Sequence, residues 1–318
     1  MLEKIAESII RNKNIIEKRE TNSVIKKIYS GSFKSERIYS DIGEDAASIK
    51  NSNENYILIT TDRIKTDFIE KFPYGAGFSA ILVGVDDIYA CGGRPLAASI
   101  ILSFKDKNKG DQIIKGLSQG SNKFHVPIIR GHTHLNNYYE LSSTIVGEIE
   151  SANYISAKKA QPNDVIILAV DFDGKIGKAN KMYWDTTTFK SSELVLRKRK
   201  AMNRIAEMRL ANSSKDISNS GIFGTIIQLA SYSNMGARIN VNDIEIPSFL
   251  IEANYSIIDY SQMFLTTSFI LSAPKNNSNE IINIFKNNLM EARKIGEIIK
   301  EKALILQDNK SEIKVMNL

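Results

Sequence analysis

Two adjacent carboxylates, Asp86 and Asp87, sit inside ILVGVDDIYA (81–90), where almost every other residue is apolar or small. A helix that is apolar all round is buried all round. A buried carboxylate costs several kcal/mol unless it is paired or ligates a cation. Successive helical residues point ~100° apart, so one of the two can turn away, but both escaping is disfavoured. Asp62 closes the apolar run ILITT, and Asp45 lies in GEDAAS (43–48), a short loop beside another strand-like segment. Acids at the ends of buried elements suit Mg²⁺, which takes oxygen ligands and shares them with a phosphate. Each Asp taken alone serves equally well as a helix cap or turn residue. As a constellation, Asp45, Asp62 and Asp87 favour the metal.

Two further polar clusters carry chemistry. In RGHTH (130–134) the H-x-H spacing puts both histidines on one face of a strand, as a zinc site needs. The chain offers only one other His and a single Cys, so Gly131, His132 and Thr133 read better as a turn that approaches a ligand. In KDISNSGIFGT (215–225), Asp216, Ser218, Asn219 and Gly221 precede an apolar helical run. They form a polar helix N-terminus, either a simple cap or an anion site.

The elements that must hold these groups follow from hydrophobic patterning. Strands are expected at 55–62, 96–104, 126–131, 140–150, 164–171 and 263–273, and helices at 77–93, 110–125, 192–210, 221–233 and 279–304. The first twenty residues interleave charge with Ile and Leu as an amphipathic helix does, unlike a signal peptide. A polar junction at 151–164 divides the chain into expected domains 1–155 and 156–318. Helices and strands alternate on both sides of it, so the class is α/β (α+β), each half a sheet covered by helices.

Composition narrows the function. The chain has 318 residues, 42% hydrophobic and 25% charged, as an ordinary globular protein has. No apolar run reaches the ~20 residues of a membrane-spanning helix. One cysteine, Cys91, excludes an internal disulfide and a Cys-rich metal site, and the chain reads as cytoplasmic. Net charge is +6, and Lys175 to Arg204 holds nine Lys/Arg against two acids. That stretch suits a nucleic-acid or phosphate patch, yet its apolar spacing reads better as a solvated helix face, and no nucleic-acid-binding motif accompanies it.

In order along the chain, these segments resemble the aminoimidazole ribonucleotide (AIR) synthase superfamily, which includes thiamine-monophosphate kinase. GEDAA resembles the G-D-D-A-A loop of the kinase branch, and LITTD its strand ending T-T-D. GVDDIYACGGRPLA resembles the helix and turn that follow, RGHTH the G-G-[DEH]-[TS] turn, and KDISNSG the D-x-S-D-G motif. The resemblance implies a two-domain PurM-like fold and a homodimer whose N-terminal sheets join in a barrel. It implies ATP with Mg²⁺ in a cleft and phosphorylation of a small-molecule oxygen. Asp45, Asp62 and Asp87 match the metal- or nucleotide-binding acids, and Asp87 rather than Asp86 matches the family Asp. The turns around Gly131 and Gly221 would approach phosphates. His132 and Asn219 replace acids of the kinase pattern, which weakens the kinase reading and leaves a nucleotide-binding protein without turnover as the alternative. With its Trp184–Thr188 stretch, the chain is most similar to the uncharacterised AIR-synthase-related proteins of the superfamily.

Overall fold

The computed structural model describes residues 1–51, 54–178 and 180–318. Two mixed sheets organise it. The first has six strands in the order Ile38–Ser40, Ala47–Lys50, Asn55–Arg63, Glu140–Glu150, Arg94–Phe104 and Ile128–Leu135. The second has seven, in the order Ser213–Asp216, Ser268–Ala273, Val165–Val170, Glu291–Ile299, Gly236–Asn240, Ala303–Gln307 and Glu312–Asn317. The class is therefore mixed α/β with two sheet-bearing domains.

Helices Pro73–Ala90 and Lys107–Phe124 cover the first sheet and pack closely on each other. Glycines set that approach: a Cβ on Gly77 would lie 2.1 Å from the Ile113 carbonyl, and one on Gly116 2.0 Å from the Tyr74 carbonyl. The helix Pro73–Ala90 is buried along most of its length, as its continuous apolar sequence requires. Its Ile88 and Val85 join Leu58, Ile145 and Ile149 of the sheet in one core.

The N-terminal amphipathic pattern resolves into two helices, Leu2–Ile10 and Lys13–Gly31. Asn12 separates them by accepting the Asn14 and Ile15 N–H groups at 2.9 and 3.2 Å, an N-cap that restarts the helix. Leu2, Ile5, Ile9 and Ile15 pack into the core of the second domain, not the first. The N-terminal segment thus crosses to the far domain and reaches the groove between the two.

Three expectations change. The helix expected over 279–304 stops at Asn287, and strands Glu291–Ile299 and Ala303–Gln307 follow. Leu289 adopts φ +62°, which ends the helix, and central sheet positions then claim the apolar residues beyond it. The strand expected over 263–273 breaks at Thr267, φ +52°, into Phe264–Leu265 and Ser268–Ala273. RGHTH is no turn: it lies within the edge strand Ile128–Leu135, paired in parallel with Arg94–Phe104.

Among the described residues no helix is long and apolar enough to cross a membrane. The basic stretch is not the expected solvated face throughout. Lys198 and Arg199 are buried at 2% and 0% exposure, and both are ion-paired.

Candidate functional site

The adjacent acids of helix Pro73–Ala90 part company as helix geometry demands. Asp86 turns into the domain junction, where Arg199 Nε donates to its Oδ1 at 2.6 Å. The same guanidinium donates through Nη1 to the Val195 carbonyl at 3.1 Å and stacks 5.0 Å over Phe124. Asp86 is accounted for by this buried pair. Asp87 instead faces a cleft of about 1820 Å³ between the two sheets.

Thr60 and Asp62 are two apart on strand Asn55–Arg63, so they share one side of it. Thr60 Oγ1 donates to Asp87 Oδ2 at 2.5 Å and stands 3.4 Å from Asp62 Oδ2. From the opposite wall, Lys215 Nζ pairs with Asp45 Oδ1, and the Asp216 N–H donates to Asp45 Oδ2 at 3.1 Å. Asp45 is aimed by its neighbour Glu44, whose carboxylate accepts from Ser156 Oγ at 2.7 Å and the Ala157 N–H at 2.6 Å. The GEDAA loop is thereby tied to the segment that links the domains. Lys18, on the second N-terminal helix, donates to Ser218 Oγ at 2.7 Å and Gln228 Oε1 at 3.3 Å.

One carboxylate oxygen from each of Asp45, Asp87 and Asp216 lies within 4.8 Å of the others. Burial, and then the charges of Asp62, Asp216 and Asp45, push the Asp87 carboxyl well above the usual carboxylate range. Burial and Asp45 do the same to Asp216, against the pull of Lys215 and Lys18. Asp62 is raised by burial, with hydrogen bonds to Asp87 and Thr60 opposing the shift. Acids so placed resist ionising together, because like charges this close repel. A divalent cation removes that conflict. The donors are hard oxygens, as Mg²⁺ requires, and they open onto a space large enough for a phosphate-bearing ligand.

The structure brings Asp45, Asp62, Asp87, Asp216, Ser218 and Asn219 to this one cleft. Gly221 stands just behind it, at the start of helix Gly221–Tyr232, with φ +69°. A Cβ there would meet the Ser261 carbonyl at 2.1 Å, so glycine is required for packing as well as conformation. Gly131, His132 and Thr133 do not line the cleft within this chain. They are exposed on the edge strand, where His132 and His134 bring their Nε2 atoms 2.8 Å apart. Sequence reasoning missed Lys215, Thr60, Glu44 and Lys18. The first three lie inside or beside motifs already singled out, whereas Lys18 reaches the site only through the crossing of the N-terminal helices.

Comparison with known proteins converges on one family. The family model for the AIR synthase related protein N-terminal domain matches residues 43–149, and the model for its C-terminal domain matches residues 161–309. An uncharacterised protein of Methanocaldococcus jannaschii is 33% identical over 273 residues, 86% of this chain and 83% of that protein. The thiamine-monophosphate kinase of Buchnera aphidicola is 25% identical over 290 residues, 86% of this chain and 88% of the kinase. Among solved structures, T. maritima PurL complexed with ADP superposes with a TM-score of 0.72 at 16% identity, covering 88% of this chain and 46% of PurL. The chain thus spans about half the length of PurL, and that likeness shows the fold.

Proposed function

The chain belongs to the AIR synthase related family, and from that premise we propose that its cleft binds ATP with Mg²⁺ and phosphorylates an oxygen of a small-molecule substrate. The observation that carries this reading is that Asp45, Asp62, Asp87 and Asp216 line one large cleft, with oxygens of Asp45, Asp87 and Asp216 within 4.8 Å of one another. Phosphoryl transfer asks little covalent work of a protein, since positioning and neutralisation of charge supply most of the catalysis. The cleft has parts for both tasks. The acids would hold the Mg²⁺, which when bound draws charge from the phosphates.

Basic residues Arg63, Lys65, Lys175 and Lys178 along the walls meet the anionic ligand. Ser218 and Asn219, at the polar entry to helix Gly221–Tyr232, stand beside the same acids. The whole-length similarity to a thiamine-monophosphate kinase supports a kinase-like reaction, and a PurL of the same fold is complexed with ADP.

The unit of function is proposed to be a homodimer. Leu96, Ile101, Ile129 and Leu135 are 41–80% exposed on two neighbouring strands of the first sheet. A second copy joining there would cover them. It would also bury the edge that carries Gly131, His132 and Thr133, whose part in nucleotide binding is proposed only within such a dimer. The cell compartment proposed is the cytoplasm.

The test is Mg²⁺-dependent ATP hydrolysis by the purified protein, alone and with thiamine monophosphate or other small hydroxyl and acyl acceptors. ATP consumption that needs Mg²⁺ and rises with one acceptor supports the enzyme. Tight Mg-ATP binding with no turnover for any acceptor favours the non-turnover alternative, which Asn219 in place of an acid already suggests.

A further inference from the structure

As a strand and not a turn, RGHTH meets the geometric condition for a chelating pair. His132 and His134 are two apart on strand Ile128–Leu135, so their rings leave the same face of the sheet. That strand is the last of its sheet, and its parallel register sets His132 beside Ile101 and His134 beside Ser103. The two rings meet edge to face with centroids 4.6 Å apart, and their Nε2 atoms are 2.8 Å apart. Both residues are exposed. Among the described residues, neither ring has another side-chain hydrogen bond or a carboxylate within ion-pair reach. The pair is therefore committed to nothing but itself.

In the metal-free pair one Nε2 carries a hydrogen and the other accepts it. Moving that hydrogen to Nδ1 of its own ring frees both Nε2 lone pairs toward one point. A divalent transition ion bonds imidazole nitrogen at about 2.0–2.1 Å, which spaces two such nitrogens by about 2.9 Å at a right angle and about 3.3 Å at a tetrahedral one. The observed spacing is close to the first value, and a slight opening of the rings reaches the second. Imidazole suits zinc, nickel and copper, whereas Mg²⁺ takes oxygen ligands. We propose that His132 and His134 chelate one exchangeable divalent transition ion of the zinc, nickel and copper class per chain. Two imidazoles leave the remaining positions of that ion open to water or to a further ligand. The site is separate from the metal-nucleotide reading of the cleft: its donors are nitrogens, and neither histidine lines the cleft.

Calorimetric titration of Zn²⁺ into the full chain, with excess Mg²⁺ present to occupy the cleft acids, tests the pair. Wild type is expected to bind one zinc per chain. Two ligands on one strand act together, so His132→Ala and His134→Ala are each expected to weaken binding by about 100-fold or more. His125 is the one other histidine and stands at φ +55°, so His125→Asn, which tolerates that backbone, is expected to change zinc affinity little. Asp87→Asn is expected to bind zinc as wild type does. Acid is expected to weaken wild-type binding, because a protonated imidazole has no lone pair to give. Electron paramagnetic resonance of the Cu²⁺-loaded protein counts the donors: two equatorial nitrogens are expected in wild type and one in either single variant. Both side chains are exposed, so the metal-free variants are expected to melt with wild type, and one that does not is replaced by His132→Gln or His134→Gln. Zinc bound equally by wild type and a folded histidine variant overturns the proposal. So does zinc lost in Asp87→Asn but kept in the histidine variants, or a nitrogen count that neither substitution lowers.

Discussion

Asp86 and Asp87 are neighbours in the chain and opposites in electrostatics. At the domain junction, Asp86 meets Arg199 at 2.6 Å, one acid for one base. Nearby, Asp171 is fully buried against Lys190 and Lys198 at 2.7 and 2.5 Å. These charges are matched by permanent partners within the protein. In the cleft, Asp87 faces Asp62, Asp45 and Asp216, with Lys215 already committed to Asp45. Within that group of acids, negative charge is in excess, although basic side chains line the rest of the cleft. The contrast separates a charge that holds domains together from a charge held in readiness for a cation, and it rests on partners, since both acids stand on one apolar helix.

The largest effect that can break this contrast is at the junction. Removing one member of a buried ion pair leaves the other unpaired and costs about 3–5 kcal/mol. Asp86→Ala or Arg199→Met is expected to lose stability on that scale in chemical denaturation. Asp87→Asn is expected to leave the metal-free protein as stable as wild type or more so, because it relieves repulsion. Equal destabilisation by Asp86→Ala and Asp87→Asn would erase the distinction.

A smaller effect appears on titration. Asp62, Asp87 and Asp216 have folded-state pKa values raised above the unfolded carboxylate, so the native cluster holds protons that the unfolded chain has lost. Their contribution to stability is therefore fully present below the unfolded value of about 4 and is lost as pH rises through the folded values. Thermal melts of metal-free protein from pH 5 to 8 are expected to show this loss. Mg²⁺, which binds the ionised acids, should flatten it, and Asp87→Asn should reduce it. A slope identical in wild type and Asp87→Asn would place the titrating groups elsewhere.

The smallest effect is expected at Cys91, which is 2% exposed at the end of the same helix, with its thiol raised by burial and by Asp45 and Glu44. Thiolate is the reactive form, so labelling should be slow. Cys91→Ser should change nucleotide affinity little. Fast labelling that ATP blocks would bring this thiol into the site.

What the sequence discloses divides along the same line. Two adjacent Asp in an all-apolar helix announce an unsolved charge problem, and 100° of helix already says that they solve it differently. The partner of Asp86 lies 113 residues away on a helix whose Lys/Arg run reads as solvent-facing, so only tertiary packing identifies Arg199. The polar entry to helix Gly221–Tyr232 is legible as a motif, yet the direction of Lys215 depends on the loop at Asp45. RGHTH reads as a turn because of Gly131, whereas pairing with strand Arg94–Phe104 carries the chain straight through it. The strand Glu291–Ile299 was hidden because Ile281, Ile284, Ile295 and Ile298 recur at intervals a helix would also accept; the break at Leu289 is a backbone event.

Calorimetric titration of ATP into wild type and Asp87→Asn, each with and without Mg²⁺, tests the metal-nucleotide site most directly. Binding to wild type is expected to require Mg²⁺ and to weaken about tenfold or more in Asp87→Asn, since even the outer partners of metal ligands are worth that much. Binding of equal strength without Mg²⁺, or unchanged in a folded Asp87→Asn, would contradict it.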